Sequence, residues 1–316
     1  MFNRKKLVGL VALLSIGTLL LTACGEKQKE SKQEAKVTEI TVKDSEGHEV
    51  KIPSEPKKVV VFDMGSLDTI NQLGEGDSII ATAKPNLPKY LKEFDSVESA
   101  GGIKEPDLEK INALQPDLII ISGRQEDSRK ELEKIAPTLF LGVDGSNAWG
   151  STKQNIQTLG TIFGKEKEAN TKITELEDQI TQVKDKAAAS GEKALITLVN
   201  EGSLSAYGKG SRFGIIHDTF GVAPADDNIK VSTHGQEVSY EYVLKTNPDI
   251  LFVIDRTQAI GGDNSKNNVA ENELVKQTTA GKNGKVITLT PDLWYLSGGG
   301  IESTQLMIED VLKAFN

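Results

Sequence analysis

The sequence predicts an α/β protein of two Rossmann-like lobes joined by a single long helix, and three observations carry that prediction. First, from Val37 onward short apolar runs alternate with amphipathic stretches, the mark of strands and helices alternating along a parallel sheet. The clearest strands are Val59 to Phe62, Leu118 to Ile121, Leu139 to Leu141, Leu195 to Val199, Ile250 to Ile254 and Val286 to Leu289. Second, between these two groups, Ala169, Ile173, Leu176, Ile180, Val183 and Ala187 recur at alternating spacings of four and three, with charge between them. That is one helical face held for about 25 residues, ~37 Å at 1.5 Å per residue. Such a helix can act as a strut between lobes; the alternative is a dimerising coiled coil, for which only about three heptads are present. Third, the chain repeats itself. Glu109, Pro116-Asp117, a hydrophobic run and Arg124 recur 132 residues later as Glu241, Pro248-Asp249, another hydrophobic run and Arg256. The expected organisation is an N-terminal lobe over 37–164, a connecting helix over 165–190 and a C-terminal lobe over 191–316.

What precedes Val37 has a different composition. Arg4, Lys5 and Lys6 form a basic end, followed by an apolar run from Leu7 to Leu21. About fifteen residues is short for a membrane span, which needs ~20, and suits an export signal over 1–23. The run ends in Leu21-Thr22-Ala23-Cys24, at the only cysteine of the chain. The segment Gly25 to Lys36 is polar and free of aromatics, so 24–36 reads as a tether with no means of making a core.

Charge and composition then remove whole classes of function. Lys and Arg number 37 against 46 Asp and Glu, a net charge of −9, and the basic face a nucleic-acid binder needs is not supplied by such a chain. One cysteine excludes a disulfide framework and a cysteine-rich metal cluster. The three histidines, His48, His217 and His234, show no ligand spacing, so no protein metal site is expected. No Gly-x-Ser-x-Gly elbow, His-Glu-x-x-His or P-loop occurs, and no catalytic residues are assigned. Gly298-Gly299-Gly300 before the last helix either cradles an anion or makes a tight turn.

Geometry directs the remaining charges to one place. Open α/β sheets bind ligands beyond the carboxyl ends of their strands. Arg124 and Arg256 follow strand ends, and Glu109 and Glu241 fall in first helical turns at the same rim, where the helix dipole also favours a carboxylate. The stretch after Leu195 to Val199, Asn200 to Gly214, brings Tyr207 and Arg212 among glycines, either as a ligand loop or as a hairpin tip. Trp294 and Tyr295 follow the strand ending near Leu289, as ligand contacts or as core. Lys84 and Lys104 occupy comparable loops of the N-terminal lobe. Three guanidiniums with aromatic neighbours describe a cleft for a polyanionic, ring-bearing ligand, since arginine donates forked hydrogen bonds to oxyanions and stacks on π faces.

The Leu-Thr-Ala-Cys lipobox, the Glu…Pro-Asp…Arg repeat, the Gly160-to-Thr171 entry to the long helix and the Gly298-Gly299-Gly300 turn into a terminal helix together resemble the iron–siderophore-binding lipoproteins of bacterial ABC importers. With the three arginines and the stretch from Lys84 to Leu91, the likeness is greatest to the petrobactin-binding lipoproteins of bacilli. The resemblance implies a fold like that of class III periplasmic binding proteins and a lipidated Cys24 on the extracytoplasmic face of the cell membrane. It implies that Glu109 and Glu241 dock onto an ABC permease served by a cytoplasmic ATPase. It also implies that Arg124, Arg212 and Arg256 hold a ferric siderophore, with no intrinsic cofactor and a monomeric protein. Haem is the alternative ligand, with Met64, His217 or His234 as axial group.

Overall fold

The computed structural model describes residues 38–316; the expected export signal, Cys24 and the expected tether lie outside the described residues. The chain enters as a hairpin, β1 (Glu39–Lys43) and β2 (Glu49–Pro53), whose inward residues Val42 and Ile52 are buried. At its turn the Asp44 carboxylate accepts from the backbone N–H groups of Glu46 and His48, at 2.9 and 2.8 Å. Arg129 closes the cluster, reaching Asp44 and Glu46 at 2.7 Å and Glu133 at 2.9 Å. Burial alone would raise the Asp44 carboxyl, but these donors outweigh it and hold it below its ordinary value.

The first sheet contains β3 (Val59–Val61), β4 (Ile79–Thr82), β5 (Glu98–Ser99), β6 (Leu118–Ile121) and β7 (Thr138–Phe140). It is all parallel, in the order β5-β4-β3-β6-β7, the doubly wound order with its switch point between β3 and β6. β3 and β6 are Val-Val-Val and Leu-Ile-Ile-Ile, buried throughout, as central parallel strands covered on both faces must be. Helices α1 (Met64–Gln72), α2 (Leu108–Leu114), α3 (Arg129–Leu132) and α4 (Ala148–Ile162) accompany it.

The long helix is α5 (Glu166–Ser190), closed by Gly191 in the left-handed conformation at φ +65°. All six residues of its expected apolar face are buried. Ala169, Ile173 and Leu176 belong to the core of the first sheet, whereas Ile180, Val183 and Ala187 belong to the core of the second. The face is therefore consumed within the chain, which removes the coiled-coil alternative. Gly160 makes the closest approach possible, since a Cβ there would overlap that of Ala169.

The second sheet holds β8 (Lys193–Asn200), β9 (Ser203–Tyr207), β10 (Ala223–Pro224), β11 (Gln236–Val238), β12 (Ile250–Asp255) and β13 (Val286–Thr288). Its order is β11-β9-β8-β12-β13, with β10 also pairing β8. Unlike the first sheet it is mixed. β8 and β9 form an antiparallel hairpin whose turn, Glu201-Gly202, has φ of +50° and +86°, the left-handed pair a tight hairpin requires. Of the two readings of 200–214, both are present: a hairpin tip at Glu201-Gly202 and, after β9, a separate loop that carries Arg212. The helices here are α6 (Ile215–Asp218), α7 (Tyr240–Thr246), α8 (Arg256–Ala259), α9 (Glu273–Lys276), α10 (Thr279–Lys282), α11 (Pro291–Leu296) and α12 (Ile301–Leu312).

The last helix returns to the first half of the molecule. Ile301, opening α12, joins the core of the first sheet, and α12 packs on α1 and α5. Asp68 of α1, fully buried, accepts from the N–H groups of Glu302 and Ser303 at 2.9 and 2.7 Å. The group cradled at this helix N-terminus is therefore the protein's own Asp68 carboxyl, which burial pushes up to about 7 against the pull of these N–H donors, held behind a tight Gly298-Gly299 turn at φ +99° and +76°. Gly65 of α1 lies so close to that turn that a Cβ there would overlap the Gly298 carbonyl. Among the described residues no helix is long and apolar enough to cross a membrane.

Candidate functional site: three arginines on one tyrosine

The repeat read in the sequence is a repeat of structure. In each copy a side chain caps the helix, Asp107 accepting from Lys110 N–H and Ser239 from Tyr242 N–H. Each helix ends on a left-handed residue, Gln115 at φ +49° and Asn247 at +47°. The aspartate of each Pro-Asp then accepts from backbone N–H groups at the entry to the adjacent strand, Lys57 and Lys58 for Asp117 and Lys193 for Asp249. Each copy finally runs into a central strand, β6 or β12, and delivers its arginine to the sheet edge.

Arg124 follows the Ser122-Gly123 turn after β6. It donates from Nη2 to the Tyr295 carbonyl at 2.6 Å and from Nη1 to the Leu296 carbonyl at 3.2 Å, bridging the two halves. The turn is fixed by Gln125, whose Oε1 accepts from Ser122 N–H and whose Nε2 donates to the Ile103 carbonyl. Arg212 rises from the loop after β9, where Asp218 Oδ2 accepts from Gly210 N–H at 2.7 Å and Ser211 Oγ donates to the Gly208 carbonyl at 2.6 Å. Its Nη2 also donates to the Tyr295 carbonyl. Arg256 is the first residue of α8 and donates from Nε to the Tyr295 hydroxyl at 2.7 Å and from Nη1 to Asn200 Oδ1 at 2.6 Å.

All three guanidiniums thus converge on Tyr295, at 6.0, 4.6 and 5.4 Å from its ring centre for Arg124, Arg212 and Arg256. Burial, and then the nearby charge of Arg212, lowers the pKa of Arg124. Burial would raise the Tyr295 phenol, but the Arg256 hydrogen bond and the charges of Arg256 and Arg212 pull it below its ordinary value. Every acceptor these arginines use is neutral, and among the described residues none of the three forms an ion pair. Arg129, by contrast, is held by three carboxylates. A dense positive charge without direct counter-ions, on an acidic chain, has the chemistry to attract an anion.

The other expected site residues divide. Lys104 is exposed on the loop whose Ile103 carbonyl is tied to Gln125, beside Arg124. Three expectations need correction. Lys84 is structural: its Nζ donates to the carbonyls of Asp95 and Val97, at 2.5 and 2.7 Å, so its charge closes a loop of its own. Tyr207 is 2% exposed in β9 and packs edge-on against Phe213 at 4.7 Å, so it supports the Arg212 loop from beneath. Trp294 lies in the core and donates from Nε1 to Asp310, because Pro291 to Leu296 form a helix rather than a loop and neighbouring side chains diverge by about 100°. The stretch 84–91 does border the inter-lobe space: Pro85, Asn86, Leu87 and Lys89 face Gln258 and Pro291 across a recess of about 190 Å³. Glu109 and Glu241 are both exposed in the first turns of α2 and α7, and neither forms an ion pair among the described residues.

The haem alternative loses two of its three candidate ligands to the interior. Met64 is 2% exposed in the core of the first sheet, and buried His217 turns Nδ1 to the Val222 carbonyl. His234 sits exposed between β10 and β11.

Two α/β units spanned by one helix, with charged strand-end residues meeting between them, define a ligand-binding protein of the two-lobed type. The family model for periplasmic binding proteins matches residues 59–293, and the chain belongs to that family. The petrobactin-binding protein YclQ of Bacillus subtilis (strain 168) is 48% identical over 312 residues, covering 97% of this chain and 98% of that protein. Its crystal structure superposes with a TM-score of 0.86 over 88% of this chain and 99% of that one. The ferric-anguibactin-binding protein FatB of Vibrio anguillarum (strain ATCC 68554 / 775) is 35% identical, with 96% and 97% covered. The siderophore-binding protein BauB, solved with two acinetobactin molecules and ferric iron, is 37% identical at a TM-score of 0.80, with 88% and 99% covered.

Proposed function

We propose that this protein captures an anionic ferric siderophore, of the catecholate or citrate type and petrobactin-like, between its two lobes and delivers it to an ABC permease for iron uptake. The observation that carries this reading is the convergence of Arg124, Arg212 and Arg256 on one aromatic ring with only neutral acceptors. A ferric tris-catecholate is trianionic and presents aromatic faces, so it satisfies both the charge and the stacking surface of such a site. The iron keeps its siderophore oxygens, and the protein supplies counter-charge and shape. It is a carrier, not an enzyme. That two relatives are named for petrobactin and ferric anguibactin, and a third is solved with acinetobactin and ferric iron, supports a ferric siderophore as ligand.

On the same reading residues 37–164 and 191–316 are the two lobes, and Cys24 carries the lipid that holds a monomer on the outer face of the cell membrane. Two acyl chains or more give firm anchorage where one is marginal. Glu109 and Glu241, one per lobe, meet basic residues of the permease. The test is a titration of the mature protein with ferric petrobactin, a ferric tris-catecholate, a ferric hydroxamate and haem, followed by tryptophan emission, since Trp294 adjoins Tyr295. Quenching confined to the anionic iron complexes is the expected result, weakened at least tenfold by Arg212→Ala. A response to the hydroxamate or to haem alone overturns the anionic-ligand reading.

A further inference from the structure

We propose that Asn200 is the positioning residue that keeps Arg256 aimed into the cleft with its charge unspent. The inference rests on the reading of the cleft as an anion receptor. Asn200 ends β8 and Arg256 follows β12, so the two meet at the switch point of the second sheet, where adjacent strands β8 and β12 run parallel in register from Ala194–Ile250 to Val199–Asp255. A guanidinium has donors only, so the amide must turn its oxygen to Arg256, and Oδ1 accepts from Nη1 at 2.6 Å. The same oxygen accepts from Thr257 Oγ1 at 3.4 Å, and Thr257 Oγ1 in turn accepts from Glu201 N–H at 3.0 Å. The hairpin turn and the first turn of α8 are thereby pinned together around one neutral acceptor.

The nearest carboxylate in the chain is directed elsewhere. Asp255 directly precedes Arg256, yet its Oδ1 accepts from Gln258 N–H at 2.9 Å and from Asn267 Nδ2 at 2.7 Å, buried at the start of α8. Asn267 Oδ1 accepts from Gly202 N–H, which ties the same hairpin from its far side. The fold thus spends the carboxylate on a helix cap and gives the arginine an amide. An amide fixes direction as a carboxylate would, but leaves the full charge for a ligand that must compete for it. Arg129, fixed by three carboxylates, shows how this chain holds an arginine whose charge is not needed.

The two roles separate by experiment. Asn200→Asp keeps an acceptor of the same shape and turns Arg256 into an ion pair; Asn200→Ala leaves the charge and removes the aim. With a ferric tris-catecholate as probe, Asn200→Asp should weaken binding at least tenfold and flatten the dependence of affinity on salt, while Asn200→Ala weakens it less and keeps the wild-type salt dependence. Thermal melts report folding of both variants. If Asn200→Ala is the weaker binder and Asn200→Asp is close to wild type, Asn200 serves structure alone and the proposal fails. Arg212→Ala is the control on the underlying reading: unchanged affinity there sinks the anion receptor itself, whereas a weakened Arg212→Ala beside an unaffected Asn200→Asp sinks only the assignment to Asn200.

Discussion

Arg124 and Arg256 occupy the same place in two copies of one sequence pattern, yet they are held in different ways. β6 ends at Ile121, and a two-residue turn lets Arg124 swing across to the carbonyls of Tyr295 and Leu296 in the opposite half. β12 runs on to Asp255, so Arg256 opens a helix and is clasped by Asn200 of its own sheet. Position in a repeat sets where a guanidinium emerges; the length of the strand beneath it decides whether it bridges lobes or stays at home. The glutamates, by contrast, remain equivalent: both are exposed in the first turn of a capped seven-residue helix.

That contrast orders what mutation should do. The largest effect is expected where the halves are equivalent. Glu109→Ala with Glu241→Ala should abolish ferric-siderophore uptake by cells while ligand affinity in vitro is unchanged, and normal uptake would break the equivalence. Next come the arginines. Arg124→Ala and Arg256→Ala should each weaken a trianionic ligand tenfold or more, about 1.4 kcal/mol at the least. Only Arg124→Ala should also loosen the contact between halves, read as faster hydrogen exchange at Tyr295 and Leu296. Equal exchange in the two variants would show that the bridge contributes nothing.

At Arg129, whose counterpart the second half lacks, the effect falls on stability and leaves the ligand site untouched. Arg129→Ala leaves buried Asp44 without its cation, and a loss of about 3 kcal/mol is expected in denaturant melts, the low end for a broken buried pair because Glu46 and Glu133 are partly exposed. Asp44 has a folded pKa below its unfolded value, near ~3.9, so its contribution is complete above that pH and is lost as pH falls through the folded value. Melts from pH 6 down to 3 should therefore converge for wild type and Arg129→Ala. The smallest effect concerns the left-handed residues that end α2 and α7. Asparagine tolerates that conformation better than glutamine, and Asn247 also accepts from Thr279 N–H at 2.8 Å. Asn247→Gln should cost about 1 kcal/mol and Gln115→Asn should change stability by less than about 0.5 kcal/mol. Equal shifts would mean that the two caps are interchangeable.

The misplaced residues share a physical cause. Trp294 and Tyr295 are adjacent and aromatic, and only the helix they lie in sends one to Asp310 in the core and the other to three arginines. Tyr207 and Arg212 lie five residues apart among glycines, but Tyr207 ends a hairpin strand and is buried, whereas Arg212 stands on the loop that follows and is exposed. Lys84 reads as a free cation until its own loop folds back with two carbonyls. Asn200 left no signal as a site residue, since a lone asparagine after a strand is an ordinary turn residue. A glycine at 202 followed by alternating Ser203, Leu204, Ser205 and Ala206 was the cue to the hairpin that places it.

What the sequence determined by itself was everything that repeats or has a period. The long helix, the six clearest strands and the matched Glu…Pro-Asp…Arg frame that sets Arg124 and Arg256 after strand ends follow from local hydrophobic spacing and helix-end chemistry, which act over a few residues. The tertiary structure alone decided that Arg124, Arg212 and Arg256 share one ring, that Asp68 caps a helix 233 residues further on, and that each arginine meets a neutral acceptor. Those are long-range pairings, fixed by how two cores pack along α5, and no period in the chain records them.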